Sequence, residues 1–218
     1  MDYRDVLQKS IYHLIDPLID VMAKMGLTPN SVTAAGFVGN LFAMCLFIAA
    51  AQSFDDPVRA YRLIGWGGGV ILFAGLFDMM DGRLARRCRL SSAFGALWDS
   101  TLDRYSELVT LFGICLVFLQ AGSAWFGMGV VTFAAMVGSV MVSYVRARAE
   151  GLGIECKVGL MQRPERVVVT AVTALITAFT GNLWWLAGGM MLIAVLANIT
   201  AFWRIWHCYK ELGNRGVK

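Results

Sequence analysis

The chain has 218 residues, of which 58% are hydrophobic and only 16% charged, and its mean hydropathy is +0.63. This composition is typical of a membrane protein, and it excludes a disordered chain and a water-soluble nucleic-acid-binding module. Residues 25–54, 108–145 and 167–203 contain no charged side chain. Since about 20 apolar residues cross a bilayer core, each of the two longer stretches can hold two crossings. The formal net charge of +4 therefore has to be interpreted by position.

The first 25 residues predict an amphipathic helix that lies at the membrane interface. Apolar residues occupy one helical face and charged residues the other, and Pro17 interrupts or bends the helix. Charged residues precede any apolar core, so a cleavable signal peptide is not expected. We therefore expect a juxtamembrane helix over residues 1–25, followed by one transmembrane domain over residues 26–218.

Six transmembrane helices are predicted within that domain. The first follows a Thr28-Pro29-Asn30 turn, and the second follows a polar loop over residues 55–62. Turns at 120–123 and 180–182 separate the third helix from the fourth and the fifth from the sixth. The expected spans are about 31–52, 63–82, 93–119, 124–150, 165–180 and 183–208, each close to the bilayer length.

The basic residues predict the orientation of these helices. With the N-terminus in the cytoplasm, 17 of the 19 lysines and arginines lie on the cytoplasmic side, and Arg59 and Arg62 lie outside. This distribution follows the positive-inside rule. We expect a multi-pass protein of the cell (inner) membrane with both termini, and any site that uses cations, facing the cytoplasm.

Four aspartates lie at the ends of the second and third predicted helices. Asp78 and Asp81 are three positions apart and Asp99 and Asp103 four apart, so each pair shares a helical face. Ionisable groups in membrane-compatible sequence are costly and indicate function. A short basic loop joins the two helices, so the four carboxylates can converge. Hard divalent cations would neutralise them, and Mg²⁺ leaves positions for substrate phosphates. The alternative is helix capping or interfacial ion pairing.

Small residues accompany the aspartates. Gly82, Ala85 and Gly95 would allow a phosphate or a nucleotide to approach the backbone. Helix packing is the alternative role for each of them.

Together these residues form the string Asp78-x2-Asp81-Gly82-x2-Ala85-Arg86-x8-Gly95-x3-Asp99-x3-Asp103. The string resembles the signature of the CDP-alcohol phosphotransferase (CDP-alcohol phosphatidyltransferase) family at all eight positions. The resemblance implies an all-α integral membrane protein with six transmembrane helices, usually a homodimer, with a cytosol-facing active site. It also implies a CDP-activated lipid as substrate.

The same resemblance implies the roles of individual residues. Two divalent ions, Mg²⁺ or Mn²⁺, would be held by Asp78, Asp81 and Asp99, while Asp103 would be shared between metal coordination and the general-base role. The CDP-lipid would be bound by Asn30, Asp78, Gly82, Ala85, Arg86 and Gly95. Arg86 would neutralise a diphosphate oxygen. Asn30 belongs to a segment resembling the family's N-terminal element, although a turn-and-cap role is its alternative.

The second half of the chain bears on the acceptor alcohol. The segments SYVRARAEGLG (143–153) and QRPER (162–166) resemble those of bacterial and archaeal family members that use inositol phosphate. By position, the resemblance implies that Arg146, Arg166 and Arg204 would hold the acceptor's phosphate. Attraction of these arginines to anionic membrane lipids is the alternative.

These features predict a phosphatidyltransferase of the inositol-phosphate-using type. It would transfer the phosphatidyl group of CDP-diacylglycerol to the hydroxyl of inositol 1-phosphate and release CMP, with Asp103 accepting the proton. Glycerol 3-phosphate or another alcohol is the alternative acceptor. A divalent-cation carrier is the alternative of another class, although the acids lie at helix ends and are not repeated in the second half. No nucleic-acid partner is expected.

Overall fold

The computed structural model describes residues 15–214, which form helices joined by short connections. Six long helices follow one another: α1 (Pro29–Ala51), α2 (Pro57–Arg87), α3 (Ala93–Gln120), α4 (Phe126–Gly151), α5 (Arg163–Thr180) and α6 (Trp184–Asn214). Residues 15–24 are also helical, and a 3-10 turn at Ser123–Trp125 precedes α4. No strand occurs between residues 15 and 214, so the predicted all-α class is confirmed.

Four of these helices, α1, α2, α4 and α6, are long and apolar enough to cross a membrane. The chain is therefore a membrane protein with several spanning helices. Helices α3 and α5 each carry three or more charged residues in their N-terminal parts, which shortens the uncharged stretch of each. The six-crossing arrangement stays a prediction.

Helix α2 differs from its predicted span at both ends. The prediction of a polar loop over residues 55–62 is wrong from Pro57 onward, because α2 begins at Pro57 and includes Arg59 and Arg62. The Asp56 side chain caps the helix by accepting a hydrogen bond from the backbone N–H of Arg59 at 3.2 Å. Proline is favourable at a first helical position, where its missing N–H is not needed. At the other end α2 continues beyond Gly82 to Arg87.

The six helices form a closed bundle in which each packs against two others. Their order around the bundle is α1, α2, α5, α6, α4, α3. Glycines allow close approach: a Cβ added at Gly68 on α2 would lie 2.8 Å from the carbonyl oxygen of Ala171 on α5. This order places the C-terminal half of α2 between α1 and the start of α5.

The predicted interfacial helix over residues 1–25 lies partly outside the described residues. In the part that is described, Ile15 and Ile19 are buried against apolar side chains of α1 and α2, namely Val32, Met80 and Leu84. Asp16 forms an ion pair with Arg83 at 2.8 Å. Residues 15–24 thus pack on the end of the bundle that carries Asp81 and Gly82, and their position at a membrane interface stays a prediction.

Candidate active site

Three of the four predicted metal ligands meet in one acidic group. Asp78 on α2 and Asp99 and Asp103 on α3 each offer a carboxylate oxygen, and these oxygens lie within 4.8 Å of one another. Asp99 Oδ1 is buried and has no hydrogen-bond partner among the described residues. A set of carboxylate oxygens at this spacing, one of them buried without a donor, fits a hard divalent cation.

Asp81 lies beside this group and is anchored separately. Its side chain is 4% exposed; Oδ2 accepts a hydrogen bond from Thr33 Oγ1 at 2.6 Å, and Oδ1 accepts one from the Gly82 backbone N–H at 2.5 Å. The hydroxyl of Thr33 thus ties α1 to α2 at the site. Asp81 is outside the group of three, so its role as a metal ligand stays a prediction.

The residues predicted to bind the nucleotide lie around a small pocket of about 200 Å³. A Cβ added at Gly82 would lie 3.5 Å from Arg86 Nη1, an ordinary contact, so the neighbouring protein atoms leave room for a side chain there. A Cβ at Gly95 would lie 3.3 Å from Asn30 Oδ1, which is tighter. The pocket is lined by five of the six predicted residues, Asn30, Gly82, Ala85, Arg86 and Gly95, together with Asp81 and Asp99.

A second, larger cavity of about 370 Å³ lies between α1, α2, α3 and α5. Its walls are mostly apolar. Thr33 and Asp81 line both cavities, so the aspartates stand where the two cavities meet. The charged side chains on its wall are Asp78, Asp81, Asp103, Glu107, Arg163 and Arg166.

Arg163, at the start of α5, contacts the acidic group directly. Its Nη1 lies 2.9 Å from Asp78 Oδ2, and its Nη2 lies 2.8 Å from Asp103 Oδ1. The guanidinium therefore bridges α2 and α3. Sequence reasoning missed this contact, although the QRPER segment placed two arginines on one helical turn.

Arg166 forms a buried pair with Glu107. The Arg166 Nε and Nη2 groups donate to the two carboxylate oxygens of Glu107 at 2.5 and 2.9 Å, and Nη1 donates to the Met161 carbonyl at 3.2 Å. Arg166 is 1% exposed. Glu107 was also missed, although it follows Asp99 and Asp103 at a four-residue spacing on the same face of α3.

The other two predicted acceptor arginines differ from each other in exposure. Arg204 on α6 is 2% exposed and donates to the backbone carbonyls of Val158 at 2.8 Å and Val142 at 2.7 Å. The side chain of Arg146 on α4 is 43% exposed and pairs with Glu150 at 2.9 Å. Arg204 is near enough to Arg146 and Arg166 to be repelled by both charges. Of the three predicted arginines, Arg166 lines the larger cavity, whereas Arg146 and Arg204 line neither of the two cavities.

Comparison with known proteins agrees with this geometry. The pattern of the CDP-alcohol phosphatidyltransferase family matches residues 26–204. The archaetidylinositol phosphate synthase of Pyrococcus horikoshii is 35% identical over 193 residues, covering 88% of each chain. The phosphatidylinositol phosphate synthase of Mycobacteroides abscessus is 31% identical over 197 residues, covering 88% of this chain and 82% of the relative.

Solved structures are similar as well. The crystal structure of Mycobacterium tuberculosis phosphatidylinositol phosphate synthase with CDP-DAG bound has a TM-score of 0.77 and 29% identity, covering 88% of this chain and 92% of the other. The structure of the same enzyme in complex with manganese and citrate has a TM-score of 0.79, covering 88% of each chain. The chain therefore belongs to the CDP-alcohol phosphatidyltransferase family.

Proposed function

We propose that this enzyme transfers the phosphatidyl group of CDP-diacylglycerol to a hydroxyl of inositol 1-phosphate and releases CMP. The observation that carries the proposal is the meeting of two cavities at the aspartates. One cavity has a floor of small residues that suits a nucleotide diphosphate, and the other is lined by Arg166, one of the arginines predicted to hold a second phosphate.

The donor fits the smaller cavity. Gly82 and Ala85 allow the backbone of α2 to approach the diphosphate, and Arg86 supplies a cation beside it. Asn30 and Gly95 form the opposite wall. The bound CDP-DAG of the M. tuberculosis relative supports a CDP-lipid as the donor.

The aspartates supply the chemistry. Divalent cations held by Asp78, Asp81, Asp99 and Asp103 would neutralise the diphosphate and stabilise charge on the entering and leaving oxygens. Asp103 lines the larger cavity, where its carboxylate can accept the proton of the acceptor hydroxyl. The acceptor oxygen then forms a bond to the lipid-side phosphorus, while the bond to the CMP oxygen breaks. Two ions, Mg²⁺ or Mn²⁺, match the charge of four aspartates.

The acceptor is proposed to carry a phosphate of its own. Arg204 is repelled by Arg146 and by Arg166, and an anion near Arg204 would relieve that repulsion. The relatives from P. horikoshii and M. abscessus are inositol-phosphate-lipid synthases by name, which supports inositol 1-phosphate. An uncharged alcohol would gain little from three cations.

We infer six crossings with residues 1–25 at the interface, both termini and the active site on the cytoplasmic side of the cell membrane, and a homodimer. The basic residues near the ends of the spans support this orientation. Reaction with labelling reagents at single cysteines on each side of sealed vesicles would test it.

The acceptor assay tests the function. Purified protein is incubated with CDP-diacylglycerol, Mg²⁺ or Mn²⁺, and one acceptor at a time, and CMP release is measured. We expect release with inositol 1-phosphate and little with inositol, which lacks the phosphate. CMP release with glycerol 3-phosphate alone would overturn the proposed acceptor but keep the transferase activity. If none of the tested alcohols supports CMP release, both are overturned.

A further inference from the structure

Arg163 provides the positive charge that the acidic group needs within the protein itself. Its guanidinium lies 2.9 Å from Asp78 Oδ2 and 2.8 Å from Asp103 Oδ1, and the Arg163 side chain is 23% exposed. Two half-buried carboxylates of the same charge repel each other strongly, because water screens them poorly there. A cation between them relieves this repulsion and stabilises the group in this arrangement.

The same carboxylates form the candidate metal site. Asp78 and Asp103 are two of the three aspartates whose oxygens come within 4.8 Å of one another. A divalent cation close to these oxygens would also be close to the guanidinium, and two cations in contact repel each other. Two divalent ions match the charge of four aspartates, which leaves the charge of Arg163 without a negative partner at this place.

We propose that Arg163 is an exchangeable counter-cation, which holds Asp78 and Asp103 before metal loading and gives way to the divalent cation. The inference rests on the proposed metal role of these aspartates. Arg163 lies outside the eight-residue string from Asp78 to Asp103. The inference adds it to the metal site and predicts that its side chain competes with the metal.

The neighbouring contacts indicate how the exchange takes place. Arg166, one turn further along α5, is fixed by both carboxylate oxygens of Glu107 and by the Met161 carbonyl. The first turn of α5 is thus anchored to α3 independently of Arg163. Only the Arg163 side chain has to move, and the cavity of about 370 Å³ that it lines gives it room. There its guanidinium faces the space proposed for the substrate's phosphates.

The direction of the change in metal affinity distinguishes competition from other roles of Arg163. If Arg163 competes with the metal, removing its charge tightens metal binding and destabilises the metal-free protein. If Arg163 instead orients the carboxylates for the metal, removing it weakens metal binding, as loss of an outer-shell partner does. The two roles therefore predict opposite changes in the dissociation constant.

The experiment is a Mn²⁺ titration of the full chain in detergent, with free Mn²⁺ measured by electron paramagnetic resonance. Arg163→Gln is expected to lower the Kd about tenfold or more, the size of the effect that one nearby charge has on a neighbouring group. Arg163→Lys keeps the charge but loses the planar fork of the guanidinium. Its Kd is therefore expected to lie between that of Arg163→Gln and that of the unsubstituted protein. Arg62→Gln is the matched control: it lies on α2 about 24 Å from Asp78 along the helix and should leave the Kd unchanged.

Thermal unfolding supplies the second measurement. In the presence of a chelator, Arg163→Gln should unfold at a lower temperature than the unsubstituted protein, and saturating Mn²⁺ should remove most of the difference. Should Arg163→Gln fail to fold, the Kd of Arg163→Lys decides: a lower value than that of the unsubstituted protein supports the inference.

An unchanged or higher Kd in Arg163→Gln, or in Arg163→Lys if only that variant folds, overturns the inference while leaving the metal site intact. No Mn²⁺ binding by the unsubstituted protein overturns the metal site and the inference together. The CMP-release assay on the same preparation reports on the proposed reaction separately, so the two failures can be distinguished.

Discussion

Gly82 allows the nucleotide pocket to be tested without damage to the fold. A Cβ at this position would lie 3.5 Å from Arg86 Nη1, which is an ordinary van der Waals contact. Replacing a glycine within a helix by alanine stabilises the helix by about 0.5–1 kcal/mol. Gly82→Ala is therefore expected to raise the free energy of unfolding slightly, even though the methyl group protrudes into the pocket.

The same methyl group should weaken CDP-lipid binding. Forcing an extra methyl into a close-packed contact costs about 1–3 kcal/mol, and each 1.4 kcal/mol is a factor of ten in Kd. We expect the Kd for CDP-diacylglycerol to rise by roughly tenfold to a hundredfold. Isothermal titration in detergent with Mg²⁺ present measures the Kd, and circular dichroism on heating measures stability.

Gly69→Ala is the matched control on the same helix. An added Cβ at Gly69 would meet no heavy atom of the described residues within 4 Å, and Gly69 lines neither of the two cavities. It should give a similar gain in stability with no change in Kd. If Gly82→Ala binds the CDP-lipid as tightly as Gly69→Ala does, the nucleotide does not approach Gly82, and the pocket assignment is refuted.

Three further predictions concern the charged residues. Glu107→Gln leaves Arg166 buried without a counter-charge and should lower the free energy of unfolding by roughly 3–5 kcal/mol. The control Glu155→Gln, in a pair whose side chains are both 74% exposed, should change the thermal unfolding curve little, and equal effects would contradict the reasoning. Asp103→Asn should keep its fold and its CDP-lipid binding but lose nearly all CMP release, and substantial turnover would refute the base assignment. A chelator should abolish CMP release and added Mg²⁺ or Mn²⁺ restore it, whereas turnover in chelator would exclude the metal role.

Local spacing explains what could be predicted from the sequence. The aspartates lie three and four residues apart, so their grouping on helical faces follows from helix geometry alone. The start of α3 at Ala93 and its N-cap at Ser92 are also local features. The start of α2 was missed because Asp56 and Pro57 were interpreted as loop residues, although an acidic cap followed by proline is a helix-start signal.

The contacts that were missed are long-range. Arg163 and Asp78 are 85 residues apart in the chain, and Glu107 and Arg166 are 59 apart. Their meeting depends on the order of helices around the bundle, which hydropathy does not determine. Thr33 was missed for the same reason, because its bond to Asp81 joins residues 48 positions apart.

The arginines proposed for the acceptor are not equivalent in the structure. Arg166 and Arg204 are buried, and each donates to a backbone carbonyl of the segment between α4 and α5, at Met161 and Val158 respectively. Leu160 in the same segment donates its N–H to Thr200 on α6 at 3.2 Å. The two buried arginines therefore fix this segment against the bundle, which positions Arg163 at the start of α5.

Exposure distinguishes Arg146 from that pair. Its side chain is 43% exposed, and its ion pair with Glu150 is an exposed one that an incoming phosphate can replace at little cost. A phosphate that displaced Glu107 from Arg166 would instead leave a buried carboxylate without a partner, which is expensive. On the proposed function, the acceptor's phosphate is therefore expected to gain most of its new contacts from Arg146, while Arg166 and Arg204 contribute mainly their charge.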